Sequence, residues 1–133
     1  MDFSSLVIME KDKETGYIKK ELGSFEVTEG AVYVTKLYEI DGIVYLYFDT
    51  ERDVEEWEYS AIYDLFNTEV FEEAGFKITE DDDEYNPTFI LEMPYKEEHG
   101  EMKELLDRAV ELIEQEMNNV FKAIEGKEQE YID

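Results

Sequence analysis

The chain has 133 residues, 37 of them Asp or Glu and only 12 Lys or Arg, so its formal net charge at pH 7 is −25. This charge disfavours direct binding to nucleic acid and to anionic membranes, because every phosphate contact would form against the net field. Basic proteins, oppositely charged surfaces and metal cations are left as partners. The chain has no Cys, which excludes disulfides, thiol catalysis and thiolate metal sites.

Composition and length predict one folded domain over residues 1–133. Hydrophobic residues make up 43% and aromatic residues 14% of the chain, enough for a core that a disordered acidic chain would lack. The N-terminus has no basic leader, and its apolar run extends only from Leu6 to Met9. It therefore predicts neither a signal peptide nor a membrane span, and we expect a cytoplasmic protein.

The first half of the chain predicts β-strands. Residues 3–9 form a short apolar strand, and a turn leads into a second strand at 17–22. Residues 24–28 are a candidate for a further strand.

A β-hairpin is the clearest predicted element. Its strands are residues 31–40 and 43–49, joined by Asp41-Gly42, a dipeptide favoured in type I′ turns. Side chains alternate between the two faces of a strand. One face of the second strand carries Val44, Leu46 and Phe48, and the other carries Ile43, Tyr45 and Tyr47.

A middle helix follows the hairpin. Asp53 at its N-cap, with Glu56 three residues later, predicts a capping box. The helix ends at 67–68 or restarts there as a short turn through Ala74, with Gly75 as the C-cap.

The second half predicts two more strands and a long helix. The strands are 76–79 and 87–95, separated by a loop at 80–84 whose charges disfavour regular structure. An amphipathic helix spans about 97–125, and 127–133 is expected to be a frayed tail. The predicted fold class is α+β: a mainly antiparallel sheet with a middle helix and a long C-terminal helix packed across it.

An aromatic sheet face is the candidate interaction surface. Tyr33, Ile43, Tyr45 and Tyr47 are predicted to lie together on the face opposite Val44. If the helices cover only one face, these rings point to solvent, as is typical of protein-binding surfaces. If the helices cover both faces, the rings belong to an ordinary core.

A candidate acidic patch lies in the middle of the chain. Residues 49–84 contain 15 acidic residues against Arg52 and Lys77. Such a patch is typical of a nucleic-acid mimic or of weak cation binding, although the run from Asp49 lacks the Gly and the final Glu of a calcium-binding EF-hand. The patch comprises Asp49, Glu51, Asp53, Glu55, Glu56, Glu80, Asp81, Asp82, Asp83 and Glu84.

No constellation of residues predicts catalysis. The only His, His99, has no nucleophile near it in sequence and is typical of an exposed turn residue. Glu58 falls within the apolar arc of the middle helix, where a carboxylate most often has a structural partner. The chain has no glycine-rich phosphate loop. The sequence therefore predicts no enzyme, no cofactor and no metal site.

Two segments carry a resemblance. MDFSSLVIMEKDKETGYIKKELGSFEV and FDTERDVEEWEYSAIYDLF resemble those of an uncharacterised family of small acidic bacterial cytosolic proteins. The resemblance covers the whole chain, implies a bacterial cytosolic origin, and carries over no activity or site.

Together these observations predict a non-enzymatic protein-interaction protein with a regulatory or adaptor role. Its partner is expected to be a protein, with a basic protein and a second copy of the chain as options, and not nucleic acid or membrane. One alternative is an acidic nucleic-acid mimic that blocks a basic nucleic-acid-binding protein. A further alternative is a secretion-type chaperone, which predicts a dimer with apolar grooves.

Overall fold

A computed structural model describes residues 4–132 and contains one six-stranded sheet. The strand order is β2-β1-β3-β4-β6-β5, and neighbouring strands are antiparallel except for the parallel pair β1 and β3. The strands are β1 (Ser4–Lys11), β2 (Ile18–Val27), β3 (Val34–Ile40), β4 (Ile43–Asp49), β5 (Lys77–Asp81) and β6 (Thr88–Pro94).

Two helices follow β4, and two more follow β6. They are α1 (Glu56–Leu65), α2 (Glu69–Glu73), α3 (His99–Ile124) and α4 (Glu128–Tyr131). A 3₁₀ helix at Glu29–Tyr33 connects β2 to β3. This architecture confirms the predicted α+β class, with its mainly antiparallel sheet, middle helix and long C-terminal helix.

The β3–β4 hairpin has the predicted turn. Asp41 and Gly42 have φ values of 51° and 85°, and two positive φ values in succession are the signature of a type I′ turn. The two-residue turn sets the register, so Ile40 lies opposite Ile43 and Tyr38 lies opposite Tyr45.

The chain between β2 and β3 differs from the prediction. Residues 31–33, predicted as the start of a strand, belong to the 3₁₀ helix, which packs against α3. Gly30 lies so close to α3 that a Cβ built on it would be 2.5 Å from the Val110 carbonyl oxygen. This contact with a distant helix turns the chain before β3 can begin.

The middle helix also begins later than predicted. Its N-cap is Glu55, whose backbone N–H donates to the Glu58 carboxylate at 2.9 Å. The capping box therefore joins Glu55 and Glu58. The prediction of a capping box between Asp53 and Glu56 was wrong. Asp53 instead accepts a hydrogen bond from the Asn86 side-chain amide at 3.4 Å.

Three other segments are more regular than the sequence suggested. Residues 17–22 and 24–28 lie mostly in one continuous strand, β2. Glu80 and Asp81, expected in a loop, complete β5. The segment after α3, expected to be a frayed tail, contains α4, and the Tyr131 hydroxyl donates to the Asp64 carboxylate at 2.6 Å. Residue 133 lies outside the described residues.

The core lies between one face of the sheet and the helices. Its centre is a group of four phenylalanines, in which the Phe48 ring centroid is 5.3 Å from Phe89 and 5.9 Å from Phe66 and Phe71. The apolar side of α3 covers this face, and roughly a third of the buried apolar residues belong to α3. None of the helices within residues 4–132 combines the length and the apolar composition of a membrane span.

Candidate interaction surface

The two faces of the sheet have different surroundings. On β4, Val44, Leu46 and Phe48 are fully buried in the cluster that also contains the apolar sides of α1, α2 and α3. The alternate residues Ile43, Tyr45 and Tyr47 are only partly buried and lie outside that cluster. The helices therefore pack on one side of the sheet, and its second face is left open.

A group of apolar and aromatic side chains runs across this open face, and we call it the tyrosine face. The β-sheet register places its members side by side on four adjacent strands, with Met9 beside Tyr38, Tyr38 opposite Tyr45, and Tyr47 opposite Ile90. None of these side chains belongs to the core cluster. The tyrosine face consists of Val7, Met9, Tyr38, Ile40, Ile43, Tyr45, Tyr47 and Ile90.

The three tyrosine side chains contact one another. The ring centroid of Tyr38 is 5.4 Å from that of Tyr45 and 5.9 Å from that of Tyr47. The Tyr38 and Tyr47 hydroxyl oxygens are 3.1 Å apart, within hydrogen-bond distance. Burial, followed by this hydrogen bond, raises the pKa of the Tyr38 phenol above its ordinary value. The three rings thus form one connected aromatic cluster on this face.

Lysines lie around the tyrosines although the chain as a whole is acidic. The Lys11 ammonium is 4.0 Å from the Tyr38 ring centroid, and the Lys36 ammonium is 5.0 Å from that of Tyr47. Each contact is a cation–π interaction of about 0.5–1 kcal/mol at an exposed site. On this side of β1, β3, β4 and β6, the charged residues are Lys11, Lys36, Asp49 and Glu92. The formal charge of the four central strands on this side is therefore zero.

The structure separates the residues predicted for this surface. Ile43, Tyr45 and Tyr47 lie together on the tyrosine face. Tyr33 does not, because it ends the 3₁₀ helix on the other side of the sheet and packs against the core. Tyr38 takes the central position that the prediction missed. The hairpin register contains the signal for it, since a two-residue turn at 41–42 pairs residue 38 with residue 45.

Tyr33 instead lines a cleft of about 630 Å³ at the C-terminal end of α3. Arg52 occupies part of this cleft, with its guanidinium carbon 4.2 Å from the Phe121 ring centroid and a nitrogen 3.6 Å from the Glu58 carboxylate. Glu58 thus has the structural partner expected of it. The only Trp of the chain, Trp57, also lines the cleft.

The two halves of the acidic patch lie side by side. The Tyr59 hydroxyl donates to the backbone carbonyls of Asp82 and Glu84, at 3.2 and 3.0 Å. Asn86 bonds to Asp53 on the other half. These contacts hold the β5–β6 turn against the start of α1. No group of three or more His, Asp or Glu side chains within residues 4–132 is arranged to hold a metal ion.

Tyr63 is a second anchor of the same turn. Its hydroxyl oxygen accepts from the Thr88 backbone N–H at 2.8 Å and donates to the Asp81 carbonyl at 3.0 Å. Burial raises the pKa of the Tyr63 phenol, so it keeps its proton at physiological pH. His99, at the start of α3, has a structural position too, stacked on Phe25 at 4.5 Å between centroids.

Replacing Tyr63 by Phe is expected to lower the free energy of unfolding by about 1–3 kcal/mol, because the buried Thr88 N–H loses its partner. Tyr59→Phe is the matched control. Its hydroxyl bonds to exposed carbonyls that water can satisfy, so we expect a smaller loss. Urea denaturation followed by circular dichroism measures both changes. Equal losses would contradict the role given to the Tyr63 hydroxyl.

Comparison of the chain with curated proteins and with solved structures finds no match. Comparison with protein families finds one that covers nearly the whole chain, described as a family of unknown function. The match extends over residues 1–132, and the chain therefore belongs to this family, DUF6762.

Proposed function

We propose that the protein is a non-enzymatic interaction protein with a regulatory or adaptor role, and that it binds its protein partner through the tyrosine face. One observation carries the proposal: on a chain of formal charge −25, the open side of the sheet has an aromatic centre and no net charge over its four central strands. Protein interfaces are enriched in Tyr and Met and depleted in charge at their centres.

The size of the face also supports the proposal. Exposed apolar patches of several hundred Å² on a protein surface usually mark an interaction site. The four strands of the tyrosine face, about 4.8 Å apart and with segments of about seven residues at about 3.3 Å each, present about 440 Å² in projection. Biological interfaces bury at least about 500 Å² on each partner, so a partner bound to this face would also contact the flanking strands β2 and β5.

Capture from native lysate tests the proposal. Tagged wild-type protein, Tyr47→Glu and Val32→Glu are compared at low salt and at about 0.5 M salt, where the screening length is about 4 Å. Val32 is a matched control, since it is an apolar residue, 54% exposed, on the 3₁₀ helix away from the tyrosine face. Captured proteins, including untagged copies of the chain itself, are identified, purified and titrated against each variant.

We expect the wild type and Val32→Glu to bind a protein that is retained at high salt, and Tyr47→Glu to lose it. Apolar contacts depend little on screening, whereas a buried Glu would be left unpaired. A protein bound equally well by Tyr47→Glu would contradict the proposal. So would the absence of any bound protein at either salt concentration.

An acidic nucleic-acid mimic is the second candidate. The observation that favours it is the alignment of the Asp49–Glu56 segment with the β5–β6 turn, which concentrates carboxylates in one region. This candidate predicts basic nucleic-acid-binding partners that are lost at high salt and are unaffected by Tyr47→Glu.

A further inference from the structure

We propose that the partner of the tyrosine face is a second copy of this chain, so that two sheets pack face to face about a two-fold axis. This inference rests on the function proposed above and specifies its partner. A two-fold interface brings the same patch of both subunits together and must therefore be self-complementary. A surface with an aromatic centre and little net charge meets this condition.

The first argument is charge balance. Two copies with a formal charge of −25 each repel one another, so they can associate only through a part of the surface that adds no local repulsion. The open side of the sheet comes close to this condition. Lys11 and Lys36 balance Asp49 and Glu92 on the four central strands. The edge strands add one lysine and three carboxylates on the same side, namely Lys77, Glu21, Glu26 and Asp81, so only a small part of the formal charge of −25 lies there. In a two-fold pair, the lysines of each copy face a surface that also carries carboxylates.

The second argument is the position of the acidic residues. Helices α1 and α2, with six of the fifteen acidic residues of the middle segment, lie behind the sheet as seen from the tyrosine face. Packed sheets are about 10 Å apart and a helix is about 10–12 Å across, so the helix layers of the two copies would be about 30 Å apart. Salt at physiological concentration screens charges over about 8 Å. The most acidic helices of the two copies are therefore electrostatically separated.

The third argument is where the aromatic residues lie. β3 and β4 are the two middle strands of six, and Tyr38 and Tyr45 pair near their centres. Interface residues that carry most of the binding energy cluster near the centre and are enriched in Tyr. A basic partner would be attracted to the acidic patch and not to this surface of low net charge. An acidic partner other than the chain itself would gain no electrostatic attraction here.

Sedimentation equilibrium over a range of protein and salt concentrations is the first test. We expect a species of twice the chain mass of 15.8 kDa. Added salt should strengthen the association, because it screens the repulsion between two acidic copies. Binding of a basic partner would show the opposite salt dependence.

Three variants locate the interface. Tyr45→Glu and Tyr45→Lys are each expected to raise the dimer dissociation constant about 10-fold or more, as for a central interface residue. The Lys variant matters because it lowers the net negative charge, so a purely long-range charge effect would strengthen its association. Val32→Glu adds the same charge as Tyr45→Glu outside the interface and should change the constant little. Circular dichroism checks that each variant is folded.

Cross-linking keeps the test valid if the charged variants do not fold. The chain has no native Cys, so Tyr45→Cys and Val32→Cys each introduce a single thiol. With a bis-maleimide linker of about 10 Å, the distance between packed sheets, Tyr45→Cys should give covalent dimers and Val32→Cys should not.

The outcomes separate the two proposals. A dimer that is unaffected by both Tyr45 variants, or that cross-links equally well from Val32→Cys, would overturn the inference. A monomer at all concentrations would also overturn it, but the proposed function would stand if that monomer bound another protein that Tyr47→Glu loses. A monomer without such a protein would contradict both.

Discussion

Replacing Phe48 by Ala is expected to lower the free energy of unfolding by about 3–5 kcal/mol. Phe48 is fully buried, and three other phenylalanine rings lie within 5.9 Å of it, centroid to centroid. Removing the ring takes away its own burial and leaves a cavity lined by rigid aromatic groups that close poorly over it. The loss is a large part of the 5–15 kcal/mol by which a typical domain is stable.

Urea denaturation at fixed protein concentration measures this loss, with Phe48→Leu as the control. Leu keeps most of the apolar volume, so its loss should be clearly smaller than that of Ala. Substitution of an exposed residue usually changes the free energy of unfolding by no more than about 0.5 kcal/mol. If Phe48→Ala changed it by as little, the four phenylalanines could not be the centre of the cooperative core.

The second large effect is expected for Gly30→Ala. A Cβ at Gly30 would lie 2.5 Å from the Val110 carbonyl oxygen and 2.8 Å from Val110 Cγ1. Since the first of these atoms is backbone, relief requires the 3₁₀ helix and α3 to move apart. Overpacking of this kind costs about 1–3 kcal/mol, and the backbone obstacle favours the upper end of that range.

Gly100→Ala is the matched control for this substitution. Gly100 lies in the first turn of α3, and a Cβ there would meet only the movable Glu98 carboxylate, at 3.1 Å. Ala has the higher helix propensity, so this variant should be no less stable than the wild type. Thermal unfolding of both variants measures the difference. Similar melting temperatures for the two would show that the helices separate at little cost.

Local patterns predicted most of the elements. The Asp41-Gly42 turn and the alternation along β4 identified the central hairpin, and the apolar period of α3 identified the long helix, because these signals lie within a few residues of one another. The 3₁₀ helix was missed for the opposite reason. Its cause is the approach of Gly30 to Val110, and 80 residues of chain separate the two positions.

The candidate surface shows the same limit. Ile43, Tyr45 and Tyr47 were placed together by alternation alone, whereas Tyr33 was misplaced because the strand was extended too far back. Which sheet face the helices cover depends on how distant elements pack. No local pattern contains that information, so the open side could be identified only from the structure.

The position of α3 at the end of the fold has a consequence for biosynthesis. The sheet is complete at Pro94, but roughly a third of the buried apolar residues come from α3, which ends at Ile124. At about 5–20 residues per second, the ribosome needs about 1.5–6 s to add this last stretch. During that time one sheet face is open and the other is covered only by α1 and α2 on the nascent chain. The charged edge strands β2 and β5, with Lys19, Lys20 and Lys77, then oppose edge-to-edge pairing with neighbouring nascent chains until α3 closes the core.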